Sequence, residues 1–236
     1  ALISGGASGI GLATAKRLIA SGATVWIADI QDEKGEQVAE EIGATYVHLD
    51  VSKEADWISV VELIASQGEG LNLLMNNAGI VIGGTLETQT AEEFLQTTNI
   101  NLLGAFLGCK VCAPLMTISG GGSIVNTASI NALQPGPMQG IYSITKAAVV
   151  NMTKAFAKEC APHGIRVNAL LPGFTKTKFA GALFSNEEIY NTAIQSVPMG
   201  RHAEPEEMAG TVLYLVSDAS SYTTGECIVV DGGFTI

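Results

Sequence analysis

Along this chain of 236 residues, short apolar runs repeatedly end in small or polar residues, and most are followed by a helical stretch. Ala1-Leu2-Ile3 runs into Ser4-Gly5-Gly6-Ala7-Ser8-Gly9-Ile10-Gly11 and then into the helical pattern Leu12 to Ala20. Ala23 to Ala28 ends at Asp29, Tyr46 to Leu49 at Asp50-Val51, and Leu71 to Met75 at Asn76-Asn77-Ala78-Gly79, while Gly122 to Thr127 leads into Ala128-Ser129. Helical periodicity covers roughly 32–42, 53–67, 91–118, 141–161 and 205–217. Strands that alternate with helices pair in parallel and are covered on both sides. The pattern therefore predicts an α/β protein with a doubly wound parallel sheet, about seven strands and helices on both faces. Ligands of such sheets bind beyond the carboxyl ends of the strands, which directs attention to the residues that close each run.

Two of those ends carry recognisable chemistry. Gly5, Gly9 and Gly11 sit where a strand turns into a helix, and they permit a tight turn and close backbone approach. A helix N-terminus exposed in this way offers N–H groups and a positive dipole end to a pyrophosphate. The spacing is G-x3-G-x-G. Asp29, at the end of the next strand, stands where an acid can accept from both ribose hydroxyls, or it merely terminates the strand. Further along, Tyr142 and Lys146 are four positions apart in a helical stretch with apolar residues at Ile141, Ile144, Ala148, Met152 and Ala155, and Ser129 lies upstream. Residues i and i+4 share a helix face. An ammonium beside a phenol lowers the phenol's pKa from about 10. The pair then suits proton exchange with an alcohol or carbonyl oxygen, although a Tyr-x3-Lys pair alone is also ordinary helix decoration.

With these residues in hand, the chain resembles a short-chain dehydrogenase/reductase of the group with one extended Rossmann-type domain, and the resemblance covers essentially its whole length. It rests on Gly5-x3-Gly9-Ile10-Gly11, Asp50-Val51, Asn76-Asn77-Ala78-Gly79, the set Asn101, Ser129, Tyr142 and Lys146, Pro172-Gly173, and Asp231-Gly232-Gly233. The resemblance implies one dinucleotide-binding and catalytic domain over 1–236, with a substrate lid at about 174–200. It implies a catalytic set of Asn101, Ser129, Tyr142 and Lys146, with Asn101 holding a water beside the lysine; a helix cap is the other role open to Asn101, and Asn99 competes for it. Contacts to the cofactor are expected from Gly5, Ser8, Gly9, Ile10, Gly11, Asp29, Ile30, Asp50, Val51, Asn77, Ala78, Gly79, Tyr142, Lys146, Pro172, Gly173, Thr175 and Thr177. Two positions depart from the pattern. Ser4 replaces the usual threonine but keeps the hydroxyl, and Thr175 stands where an aliphatic residue is usual. Because the chain opens inside its first strand, a short leader is expected before Ala1.

Asp29 also bears on the choice of dinucleotide, since a carboxylate there faces any 2'-phosphate with like charge. NAD is the expected cofactor: Ser8 and Ile30 occupy the positions where NADP-preferring relatives carry a basic residue. The expected substrate is an uncharged, apolar secondary alcohol or ketone of moderate size, cyclic or steroid-like. Its wall is drawn from Val81, Ile82, Asn131 to Met138, and Phe174 to Tyr190 with Phe179, Leu183 and Phe184; these lid aromatics could equally be packing residues. Lys176 and Lys178 lie nearby but form no cluster. The competing readings are a 3-oxoacyl-carrier-protein reductase and a non-catalytic NAD-binding sensor or structural protein.

A net charge of -11 excludes a nucleic-acid or anionic-membrane partner, whose binding depends on basic surface. It also disfavours docking of an acidic carrier protein. No apolar stretch is expected to reach the length that spans a bilayer, and a cytoplasmic protein is expected. Cys109 and Cys112 form a C-x2-C inside a predicted helix, and together with Cys160 and Cys227 they are read as free thiols. The histidines, His48, His163 and His202, are expected to form no cluster with carboxylates, and no metal site is expected. The family resemblance implies a homotetramer built through 101–118, 141–161 and Asp231 to Ile236.

Overall fold

A computed structural model describes residues 1–68, 70–177, 181 and 187–236. Seven parallel strands form one sheet in the order β3-β2-β1-β4-β5-β6-β7. They are β1 (Leu2–Ser4), β2 (Trp26–Asp29), β3 (Thr45–His48), β4 (Leu73–Asn76), β5 (Gly122–Thr127), β6 (Ile165–Pro172) and β7 (Cys227–Val230). The strand order reverses direction between β1 and β4, which opens a crevice at their carboxyl ends.

The period of two in the strands divides the core. Leu2, Trp26, Leu74 and Ile124 point to one face, where they meet Trp57, Val60 and Ile64 of α3 (Glu54–Ser66) and Leu107, Cys112 and Met116 of α5 (Gly104–Ile118). Their neighbours Ile3, Ile27, Met75 and Val125 point the other way, onto α1 (Gly9–Ala20), α2 (Asp32–Ile42) and a C-terminal helix, Pro205–Val216. The two members of each adjacent apolar pair thus anchor different layers, which is why the runs lack polar alternation. Among the described residues, further helices are α4 (Ala91–Thr98), α6 (Gly140–Cys160) and α7 (Glu187–Gln195), so that Pro205–Val216 is α8.

The helix predicted over 91–118 is not uniform. Thr90 and Glu93 form a reciprocal capping box at the start of α4, and a π-helical turn at Asn99–Leu103 separates α4 from α5. Asn101 therefore caps nothing; it lies inside the π turn, buried. The same continuous stretch, Ala91–Ile118, is long and apolar enough by length and composition to cross a membrane, contrary to the sequence expectation. In this fold its α5 portion packs Leu107, Cys109, Cys112 and Met116 into the core.

Candidate active site

The glycine turn after β1 is laced to the loop after β4. Ser4 Oγ accepts from the N–H of Asn77 at 3.0 Å and of Ala78 at 3.2 Å, so the hydroxyl is the feature this position needs. Asn77 Nδ2 returns hydrogen bonds to the carbonyls of Ser4 and Gly5. Gly5 and Gly9 adopt φ values of 64° and 53°, which favour glycine. A Cβ on Gly11 would stand 2.4 Å from the Gly5 carbonyl oxygen. Ser8 makes no side-chain cap, which leaves the first-turn N–H groups of α1 for an anion. The Thr177 methyl, 3.2 Å from where a Gly9 Cβ would lie, borders this turn. The residues present thus fit a dinucleotide pyrophosphate, and the fit depends on the missing side chains.

Asp29 closes β2 as a buried carboxylate. Its Oδ2 accepts from Ala7 N at 3.2 Å, and its Oδ1 from Ile30 N at 2.9 Å and from the backbone and side chain of Gln31. The charge is pinned against the glycine turn, and Ile30 beside it is 63% exposed. Asp50 Oδ1 accepts from Ser52, and its Oδ2 lies 3.1 Å from Lys53 Nζ; these contacts hold its carboxyl below the usual range. Val51 is buried against Gly104. Thr175 is buried, and its hydroxyl donates to Gly173 O at 3.1 Å beside the end of β6.

Next to this groove, α6 brings up Tyr142 and Lys146, both buried, with the lysine nitrogen 5.6 Å from the phenol ring centre. Lys146 Nζ donates to Thr127 O, at the end of β5, at 2.7 Å. Ser129 follows β5 in an extended conformation and hydrogen-bonds the phenol. Asn101 clamps the loop after β4: its Oδ1 accepts from Ile80 N at 2.8 Å, and its Nδ2 donates to Ile80 O at 2.9 Å and to Thr145 Oγ1 at 3.2 Å. Gly79 passes between these groups, since a Cβ there would lie 3.2 Å from Asn101 Oδ1 and 3.6 Å from Lys146 Nζ. Four stretches far apart in the sequence, at Gly79–Ile80, Asn101, Thr127–Ser129 and Tyr142–Lys146, converge on one point.

The electrostatics differ from the sequence expectation. Burial pushes the Tyr142 phenol up to about 12, and the opposing influence is the Ser129 hydrogen bond. Burial also pushes the Lys146 ammonium down to about 8. Desolvation disfavours the charged form of both groups, and it outweighs the lysine's attraction for a phenolate. The Tyr142 phenol is therefore neutral near pH 7.

Other expectations are amended too. Phe174 packs edge-on against Phe234 at 5.2 Å, and Tyr190 of α7 hydrogen-bonds His202 Nδ1 at 2.7 Å, so these two lid aromatics serve packing. Phe179, Leu183, Phe184 and Lys178 lie outside the described residues. His48 pairs with Asp32 at 2.7 Å and His202 lies 3.4 Å from Glu204, so two histidines do meet carboxylates. Among the described residues no group of three metal-binding side chains forms. All four cysteines are free, and burial raises the pKa of the Cys109 and Cys112 thiols. Sequence reasoning missed the buried network in which Asn76 Nδ2 donates to Asn126 Oδ1 and Asn126 Nδ2 to Thr153 Oγ1. Its signal was the polar residues at the ends of otherwise apolar strands.

A glycine cradle at a helix N-terminus beside a buried Tyr–Lys–Ser cluster defines an oxidoreductase that works with a nicotinamide dinucleotide. The chain belongs to the short-chain dehydrogenase/reductase family: the family model described as enoyl-(acyl carrier protein) reductase matches residues 5–235. A 3-alpha-(or 20-beta)-hydroxysteroid dehydrogenase of Mycobacterium bovis is 43% identical over 99% of this chain and 88% of that protein. A 2,5-dichloro-2,5-cyclohexadiene-1,4-diol dehydrogenase of Sphingobium indicum is 42% identical over 99% of this chain and 96% of that protein. Among solved structures, a gluconate 5-dehydrogenase from Burkholderia cenocepacia in complex with NADP and tartrate superposes with a TM-score of 0.94. It shares 30% identity over 99% of this chain and 94% of that one.

Proposed function

We propose that this protein interconverts a cyclic secondary alcohol and its ketone with NAD(H), with Asn101, Ser129, Tyr142 and Lys146 as its catalytic set. The observation that carries this reading is the convergence of Ser129, Tyr142 and Lys146 at the end of β5. The relatives named above support a cyclic alcohol as substrate, being dehydrogenases of hydroxysteroids and of a cyclohexadiene diol.

A bound nicotinamide supplies the hydride acceptor or donor. In reduction, the Tyr142 phenol gives its proton to the carbonyl oxygen, and Ser129 donates a hydrogen bond to that oxygen as charge develops on it. In oxidation the proton moves the other way, and the ammonium of Lys146 stabilises the phenolate that receives it. Lys146 is oriented by Thr127 O. Asn101 holds the Gly79–Ile80 backbone that frames the site. The segment 174–200 acts as the lid.

Asp29 favours NAD. Two unit charges 4 Å apart at an effective dielectric of 20 repel by about 4 kcal/mol, an upper figure for an open groove, and Asp29 is locked in place by four donors. Exposed Phe106 on α5 supports assembly into a homotetramer, and three buried free thiols suit the reducing cytoplasm. The net charge of -11 argues against a carrier-protein substrate.

The test is kcat/KM for a panel of cyclic secondary alcohols with each dinucleotide, alongside Tyr142→Phe. NAD preference is expected, and the variant loses turnover while binding NADH as tightly as the parent. Preference for NADP overturns the cofactor assignment, and substantial turnover by Tyr142→Phe overturns the mechanism.

A further inference from the structure

Two carboxamides flank the Ser129–Tyr142 pair and have no part in the mechanism above. Asn131 follows Ser129 in a short turn, and its backbone N–H donates to Ser129 Oγ at 3.1 Å. Gln139 precedes Tyr142 at the N-cap of α6, and its carbonyl accepts from Ser143 N at 2.9 Å and Ser143 Oγ at 2.7 Å. The two side chains bond to each other, Asn131 Nδ2 donating to Gln139 Oε1. Both are half-buried.

The pair is held in place by its surroundings. Gln139 forms a parallel bridge with Gly84, and Gly84 N donates to Met138 O at 2.8 Å. Met138 holds φ 61°, unusual for a residue with a side chain. Gly136 runs so close that a Cβ there would stand 3.0 Å from Asn131 Nδ2 and 3.2 Å from Gln139 Oε1. Prolines on either side of Gly136 stiffen the loop.

A carboxamide carries an oxygen that only accepts and an NH2 nitrogen that only donates, each able to make two hydrogen bonds. A single bond between two carboxamides uses the nitrogen of one and the oxygen of the other. One oxygen and one nitrogen remain, whichever way round the two amides are placed. Here these are Asn131 Oδ1 and Gln139 Nε2, and neither has a hydrogen bond among the described residues. A group that both donates and accepts satisfies such a pair. A hydroxyl does so; a carboxylate only accepts, an ammonium only donates, and an aliphatic carbon does neither.

We propose that Asn131 and Gln139 form a polar subsite that reads a second hydroxyl on the substrate, so that the preferred substrate is a cyclic diol or hydroxyketone. This rests on the assignment of the reacting oxygen to Ser129 and Tyr142, and it replaces a wholly apolar substrate wall with one polar station.

The experiment compares kcat/KM of the parent enzyme on cyclohexanol with that on the cis and trans isomers of cyclohexane-1,2-, 1,3- and 1,4-diol. The best diol is expected to exceed cyclohexanol by about 10-fold, the worth of one or two neutral hydrogen bonds at a half-exposed site. In Gln139→Met, and separately in Asn131→Leu, that ratio is expected to fall to about 2 or below. Equal rates on cyclohexanol and every diol overturn the subsite while leaving the alcohol dehydrogenase assignment standing. A variant that keeps the full ratio also overturns it. No turnover of any alcohol or diol refutes the dehydrogenase assignment and the subsite with it.

Discussion

Lys146→Met is expected to make the protein more stable and inactive at once. Lys146 is almost completely buried, and its ammonium titrates at about 8 instead of the ordinary 10.5. At pH 7 the folded state carries a charge it would rather not hold, and this fall in pKa corresponds to about 3 kcal/mol. Methionine matches the side chain as far as the ε-carbon and removes the charged nitrogen. Against this gain stands the hydrogen bond from Nζ to Thr127 O, 2.7 Å long, whose loss costs about 2 kcal/mol for a charged donor. The net expectation is a gain of about 1 kcal/mol at pH 7, or about 3 °C in Tm for a chain of this size. The pH dependence is the sharper test. Between pH 8 and pH 10.5 the unfolded lysine keeps its proton while the folded one has lost it, so the unfolded state binds more protons and parent stability rises with pH. The variant lacks this rise. Urea unfolding of the dinucleotide-free proteins at pH 7 and at pH 10 should show the variant ahead at pH 7 and the parent gaining on it by about 2 to 3 kcal/mol by pH 10. A stability difference that does not change with pH refutes the claim that burial strains this charge.

Because the Tyr142 phenol is pushed up to about 12, alcohol oxidation, which needs the phenolate, should accelerate from pH 6 to pH 9, whereas ketone reduction, which needs the neutral phenol, should not. Parallel profiles of kcat/KM in the two directions would contradict this. In Gly108→Ala a new Cβ would stand 2.1 Å from Asn76 Oδ1 and 2.8 Å from the Trp57 ring, and stability should fall by about 1 to 3 kcal/mol in urea unfolding. Gly210→Ala, in the exposed interior of α8 with nothing within 4 Å of the added carbon, should instead gain about 0.5 to 1 kcal/mol. Asn101→Ala removes the side chain that pairs both backbone groups of Ile80, and should cost about 3 kcal/mol together with most of the turnover. A variant of normal stability would show that water replaces the amide there.

The layers were legible because the code for them is local. In β1 and β4 the adjacent pairs Leu2-Ile3 and Leu74-Met75 divide between the two faces, and a run of apolar residues without alternation is what a strand covered on both sides requires. The glycine turn was legible for the same reason. Positive φ at Gly5 and Gly9 is a property of single residues, and the close approach of Gly11 to the Gly5 carbonyl spans a few positions. Tyr142 and Lys146 share a helix face by period alone.

What the chain's order could not reveal depends on groups far apart along it. The balance at Tyr142 is one case: the proximity of a cation was readable, but the desolvation that outweighs it comes from packing of α6 against the sheet and the π turn. The role of Asn101 is another, because its two bonds to Ile80 exist only once the loop after β4 has folded back over a π turn that no helical periodicity announces. Likewise, Asn131 and Gln139 are eight positions apart and become one polar station only when the Gly84 bridge holds the chain between them. Periodicity and spacing write secondary structure, layering and the location of the glycine turn into the residues. Dielectric environment and hydrogen-bond partnership are written nowhere in the linear chain, since both are sums over neighbours that only folding assembles.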